Sequence, residues 1–292
     1  MELQIFRTLW GAGEDYTAIA AAAASAGFDG LEGQLPQHAH GLVALARGLR
    51  AHGLRYIGEI CTGGSNDAYW IPVREATVCE HLRSFEAGIE RLLDSGIAFE
   101  FINCMGGLDA WPIAASVEFF GRAMQISARH EVTVAFETHR ARSTFSPWAT
   151  QAIVEALPDM KLTVDFSHWC VVAERLIDDE VDALAAAIPR AFHIQSRVGY
   201  EQGPQVPHPA APEYRYALLA HQRWWQRVWD AQRAAGRTVT TMTPEFGPNG
   251  YLQAAPFFGP PAADLWEVNR WMADTERTHF EAWLGSELPS LS

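Results

Sequence analysis

The sequence predicts a single (β/α)8 barrel of the TIM type, with long loops after strands 7 and 8. Three observations carry the prediction. Short β-rich runs alternate with helical segments eight times along 292 residues, and such alternation builds a parallel sheet that closes at eight strands. The runs are mostly continuous in apolar character, as strands covered on both faces are. Four consecutive runs reach their ends at a residue able to bind a metal: Glu137, Asp165, His193 and Glu245. In parallel barrels the carboxyl ends of the strands converge on one face, and chemistry is placed there.

The strands are expected at QIFRTLW, GLEGQ, RYIGEIC, FEFINCM, VTVAFETH, LTVDFSHW, AFHIQS and VTTMTPEF. The helices between them are expected over Tyr16 to Ala26, His38 to His52, Arg74 to Leu93 and Ile113 to Arg129. Four more are expected over Pro147 to Ala156, Asp179 to Ala187, Pro212 to Ala235 and Ala262 to Trp283. Gly27, Gly53, Gly96 and Gly236 follow four of them, as helix C-caps do. The length suits one barrel better than two small domains, and no linker or low-complexity tract divides it. Residues 1–292 are therefore read as one domain.

Two connections are long. RVGYEQGPQVPHPAAPE follows the seventh strand and GPNGYLQAAPFFGPPA the eighth. Both are rich in Pro, Gly and aromatics and poor in charge, which favours ordered lids over the barrel mouth. The alternative is a subunit contact, so a homo-oligomer stays open.

The net charge of -13, from 22 basic and 35 acidic residues, disfavours a nucleic-acid partner, which wants a basic face. It leaves room for a small phosphorylated substrate. The longest apolar stretch, AIAAAAASAGF, is too short to span a bilayer, and no signal-peptide pattern opens the chain. A cytoplasmic protein with no membrane partner is expected. Cys61, Cys79, Cys104 and Cys170 form no C-x-x-C pair and lie in or beside apolar runs. Buried, reduced thiols are expected, with Cys104 or Cys170 near the pocket.

Each candidate site residue has a second reading. Glu137 and His139 share one face of their strand. Glu137 binds a cation or pairs with Arg140 or Arg142, and His139 lines the pocket. Asp165 closes the apolar run KLTV as a ligand or a helix N-cap, and His168 follows three residues later. His193, on a buried strand, is a ligand or a satisfied core histidine. Arg197 is placed to hold a substrate oxygen or to form a surface ion pair. Glu245 is a ligand or a loop carboxylate. Four bland coincidences at equivalent strand ends are less probable than one shared cause. Three carboxylates and an imidazole suit one divalent cation, Mn²⁺ first, with Mg²⁺, Co²⁺ or Zn²⁺ as alternatives.

From FDGLEG to PEFGP the chain resembles the xylose-isomerase-like barrels, the superfamily of sugar isomerases and epimerases that includes endonuclease IV. Glu137, Asp165, His193 and Glu245 match that superfamily's four-ligand metal site in order and spacing. His168 matches its D-x-x-H substrate-contacting histidine, and Arg197 its substrate-binding arginine. The third and fourth strands end EICTGG and FINCMGG without a histidine, so the trinuclear zinc cluster of endonuclease IV is not expected. ETHRARSTF lacks the extra glutamate of the ketose 3-epimerase branch.

The resemblance implies a metal-dependent isomerase or epimerase acting on a small keto-sugar through an enediolate. Glu137 and Glu245 are the expected base and acid, with His168, Arg197 and His139 on the substrate. The alternative is a lyase, dehydratase or decarboxylase, on the same site. Trp10, Trp70, Trp111 and Trp169 are candidates to cover sugar C–H faces.

Overall fold

Eight parallel strands close in chain order, β1 pairing with both β2 and β8, in the computed structural model, which describes residues 1–64, 71–248, 250–257 and 259–286. The strands are β1 (Glu2–Thr8), β2 (Gly30–Gly33), β3 (Arg55–Cys61), β4 (Ile102–Met105), β5 (Val134–Glu137), β6 (Leu162–Val164), β7 (Ala191–Gln195) and β8 (Val239–Thr243). The helices among the described residues are α1 (Tyr16–Ser25), α2 (Ala39–His52), α3 (Val78–Asp94), α4 (Ile113–Arg129), α5 (Pro147–Ala156), α6 (Phe166–Ala173), α7 (Val181–Ala187), α8 (Arg215–Ala234) and α9 (Leu265–Gly285). None is long and apolar enough to cross a membrane. Gly27, Gly53, Gly96 and Gly236 all take positive φ, as their expected place after a helix requires.

Several element ends differ from expectation by a few residues, and two of the larger differences have local causes. The sixth strand stops at Val164 instead of running to Trp169. Asp165 Oδ1 accepts the Ser167 amide at 2.9 Å, so the chain turns into α6 at once. Asp165 is thus an N-cap as well as a strand-end carboxylate. Helix α3 starts at Val78 rather than Arg74, where Thr77 and Glu80 form a reciprocal capping box.

The strand period of two places residues i and i+2 on one face, and the barrel interior uses that pairing to change character with depth. Phe6, Ile57, Phe101 and Ala135 form a separate buried apolar cluster. Two residues further along each strand stand Thr8, Glu59, Asn103 and Glu137, all buried. The floor is therefore apolar and the carboxyl-end layers polar. Outside the barrel, Trp224, Trp225 and Trp229 of α8 are buried in the main core. Trp169 is also core, its Nε1 donating to the Thr144 carbonyl at 3.1 Å, so it cannot cover a sugar. Trp70 lies outside the described residues. Cys104 and Cys170 are buried as expected, whereas Cys79 is exposed on the outer face of α3.

Gly30 shows how little room the barrel wall leaves. A Cβ there would lie 2.4 Å from the Phe6 ring and 2.6 Å from the Arg55 carbonyl. Gly30→Ala should destabilise the fold by about 1–3 kcal/mol or more through overpacking. Urea unfolding checks this, and a shift below about 0.5 kcal/mol would contradict the packing described.

Candidate active site

Three of the expected ligands meet. Glu137 at the end of β5, Asp165 after β6 and Glu245 after β8 each bring a carboxylate oxygen to within 4.8 Å of the others, and all are buried. Thr138 holds the first two strands in register at this level. Its hydroxyl accepts the Asp165 amide at 2.7 Å and donates to the Asp165 carbonyl at 2.9 Å. Asn103 Nδ2 donates to Glu137 Oε2 at 2.7 Å, while Glu137 Oε1 is buried without a hydrogen-bond partner among the described residues.

His193 does not join them. Its Nε2 lies 3.1 Å from Glu32 Oε2, and its Nδ1 lies 2.8 Å from Thr241 Oγ1. Both ring nitrogens are engaged one step deeper in the barrel, so as it stands His193 is a satisfied interior histidine. Its neighbour on the same face of β7, Gln195, donates through Nε2 to Glu32 Oε1 at 2.9 Å. The Gln195 Oε1 atom is buried with no partner among the described residues.

Arg197 sits among the carboxylates. Its Nη2 donates to Asp165 Oδ2, and Nη1 lies 3.4 Å from Glu245 Oε2. Nε donates to Ser167 Oγ at 3.1 Å. The guanidinium is buried, and stacks 4.8 Å from the Tyr251 ring centroid and 5.8 Å from that of Trp10. Burial alone would lower its pKa, but Asp165 and Glu245 reverse that and raise it. It therefore remains charged. One guanidinium cannot balance three carboxylates. Burial, then Asp165, holds the Glu137 carboxyl well above the usual carboxylate range, and burial, then Glu137, does the same to Glu245. Protons or a second cation must relieve the remaining negative charge.

The two histidines have defined tautomers. Arg197 Nη2 lies 2.7 Å from His168 Nε2. Arginine has no acceptor, so Nε2 accepts, and in the neutral ring Nδ1 carries the proton. Burial pushes the His168 pKa well down and keeps it neutral. Its Nδ1–H is buried without a partner among the described residues. His139 Nδ1 meets the Arg140 carbonyl, which can only accept, so the lone pair of His139 is on Nε2. Burial keeps this ring neutral too. The rings lie 4.0 Å apart, presenting one donor and one acceptor beside Glu137.

The loop after β8 covers this site in part. Tyr251 is buried against Trp10 at 4.7 Å and Arg140 at 4.5 Å. Gln205, from the loop after β7, exchanges two hydrogen bonds with the Gly247 backbone at 2.8 and 3.2 Å. The two long loops therefore brace each other. Phe257 of the same loop is instead 98% exposed. Phe258 lies outside the described residues.

Two carboxylates belong to the site that the ligand pattern did not single out. Glu32 of β2 accepts from Asn103 at 3.1 Å, as well as from Gln195, and so ties three strands together. Glu59 of β3 is nearly buried, with the Cys61 thiol 3.6 Å from its Oε1. Each stands in an apolar strand, GLEG and RYIGEIC, and that mismatch was a readable signal.

The chain belongs to the xylose isomerase-like TIM barrel family, whose model matches residues 20–203. No curated protein matches it. Among solved structures, a 3-keto-D-glucoside 4-epimerase from E. coli aligns with TM-score 0.58 at 14% identity, covering 95% of this chain and all of the other. A probable 3-DHS dehydratase from Bacillus anthracis aligns at 0.56 and 16% identity, covering 95% and 99%. Endonuclease IV from Thermus thermophilus aligns at 0.54 and 13%, covering 97% and 100%. At these identities the likeness is one of fold.

Glu59 gives a test of the buried charge. Burial, then the neighbouring Glu32, raises its pKa from 4.5 to about 8. A carboxyl raised in the fold contributes its stability below its unfolded pKa and loses it as pH rises through the folded one. Glu59→Gln should therefore match wild type in Tm near pH 4.5, gain on it progressively up to about pH 8, and hold that gain above. A Tm difference independent of pH would show that Glu59 ionises freely in the fold.

Proposed function

We propose that the protein is a divalent-metal-dependent sugar isomerase or epimerase acting on a small keto-sugar. The observation that carries this reading is the convergence of Glu137, Asp165 and Glu245 beside a charged Arg197 and two neutral histidines of fixed tautomer. The donor set fits a hard divalent ion, which favours oxygen ligands. Glu137, Asp165 and Glu245 would hold it. His193, the fourth ligand the pattern implies, has both nitrogens engaged. Gln195, linked to Glu137 through Glu32 and Asn103, would supply a neutral fourth oxygen if its unpartnered Oε1 turned to the ion. Mn²⁺ remains the expected ion, since such a site discriminates poorly among Mn²⁺, Mg²⁺, Co²⁺ and Zn²⁺. When bound, the ion supplies electrophilic stabilisation of the developing enediolate oxygens.

The protein's own groups do the rest. The His168 Nδ1–H donates to a substrate oxygen, and His139 Nε2 accepts a substrate hydroxyl. Arg197, whose N–H groups are already turned to Asp165, His168, Ser167 and Glu245, would bind a substrate oxygen by exchanging its 3.4 Å contact with Glu245. Glu137 and Glu245 approach from different strands and serve as base and acid for the C–H beside the carbonyl. Proton return on the opposite face of the same carbon gives epimerisation, and return to the adjacent carbon gives isomerisation. Tyr251 and Trp10 exclude water from the enediolate. The family supports a sugar-modifying enzyme, and an epimerase among the structural neighbours agrees with the reaction type. The substrate is a small carbohydrate, with no nucleic acid or membrane partner proposed, and the compartment proposed is the cytoplasm.

Purified protein should carry about one divalent ion per chain, removable by chelation. Asp165→Ala should lose it. With a panel of keto-sugars in deuterated water, the metal-loaded protein should place solvent deuterium in an isomeric sugar of otherwise unchanged mass. A product of altered formula would mean a lyase. Full activity in the presence of chelator, with no metal bound, would sink the metal assignment.

A further inference from the structure

Beside the buried carboxylates lies a larger open cleft, about 550 Å³ in volume, between the carboxyl ends of β1, β2 and β3. Its volume falls within the roughly 300–1,000 Å³ of small-molecule sites and exceeds what one sugar ring needs. Trp10 is the shared wall. The same indole that packs on Tyr251 and faces Arg197 also lines the cleft. Glu59 lies at its inner end. Beyond Glu59 a second cavity of about 260 Å³ continues past Gln34 toward β3. Glu59 also acts on the Glu137 and Glu245 carboxyls, so the cleft ends beside the proposed reaction site.

The lining indicates what that remainder is. Trp10 and Tyr16 offer aromatic surface, Gln34 and Gln37 amides, and Glu14 and Glu59 carboxyls. Aromatic faces cover the C–H side of a pyranose ring, while amides and carboxyls hydrogen-bond its vicinal hydroxyls. No Lys or Arg is among the described residues lining the cleft, and Arg91, which lines the second cavity, already donates to the Pro36 carbonyl at 2.6 Å, whereas phosphate recognition favours arginine forks or lysine. His38 and His40 stand at the rim, exposed and stacked on each other 5.5 Å apart, and Glu14 opposes an anion there.

Resting on the proposed function, we infer that the substrate is a neutral, glycosyl-extended ketose, whose second ring occupies the cleft of Trp10, Tyr16, Gln34, Gln37 and Glu59. The protein selects disaccharide-sized keto-sugars over free ketoses and over sugar phosphates.

Binding of fructose, of the fructose disaccharides turanose, maltulose and isomaltulose, and of fructose 6-phosphate, measured by calorimetry on the metal-loaded protein, tests this. At least one disaccharide should bind tenfold or more tightly than fructose. Gln37→Trp, which fills the cleft from an exposed position, should bring disaccharide affinity down to that of fructose. Gln34→Ala should reduce it without adding bulk. Fructose binding as tightly as every disaccharide would overturn the inference, as would tightest binding by fructose 6-phosphate, or no binding by any of these sugars. Disaccharide binding that depends on Gln37 but brings no deuterium exchange would uphold the cleft and refute the isomerase chemistry instead.

Discussion

The site depends on one interaction, the placement of the Arg197 guanidinium between Asp165 and Glu245. Three carboxylates buried within ligand distance repel one another strongly, and burial removes the water that would screen them. Arg197 relieves part of that repulsion, and the rest holds the Glu137 and Glu245 carboxyls above the usual carboxylate range. The same guanidinium sets the His168 tautomer and provides the face on which Tyr251 closes. Charge balance, proton placement and coverage of the site therefore pass through one side chain. Its own position is held by Ser167 and the Glu245 carbonyl.

The barrel supplies that arrangement by changing its interior with depth. On β1, β3, β4 and β5 an apolar side chain lies at the floor and the next inward position turns polar. Glu32 is the junction, joining β2 to β4 through Asn103 and to β7 through His193 and Gln195. Asn103 then passes the connection to Glu137. This polar layer orients Glu137 through its Oε2 from below, while Arg197 holds Asp165 and Glu245; fixed dipoles of this kind are the pre-organisation that electrostatic catalysis requires.

Much of this was legible in the sequence. The eight strand–helix units, the C-cap glycines and the strand-end carboxylates Glu137, Asp165 and Glu245 all announce themselves by pattern. The failures have a common physical origin. A period of two reports which face a side chain takes but not its depth along the barrel. His193 and Gln195 share a face, and sequence pattern alone does not show that both His193 nitrogens meet Glu32 and Thr241. Glu32 and Glu59 carry the same signal as the recognised carboxylates, an acid in an apolar strand, but lie outside the four-ligand pattern. The end of β6 was hidden because FSHW reads equally as strand or as helix, and the Asp165 cap decides it. Tryptophan content gave no guide to the pocket, since the α8 tryptophans and Trp169 serve the core while Trp10 faces the cleft.

The most direct test of the account is the anomalous scattering of crystals grown with Mn²⁺. One peak is expected among Glu137, Asp165 and Glu245, with Gln195 Oε1 turned to it and His193 still engaged with Glu32 and Thr241. A peak ligated by His193, or the absence of any peak at the three carboxylates in saturating Mn²⁺, would contradict it.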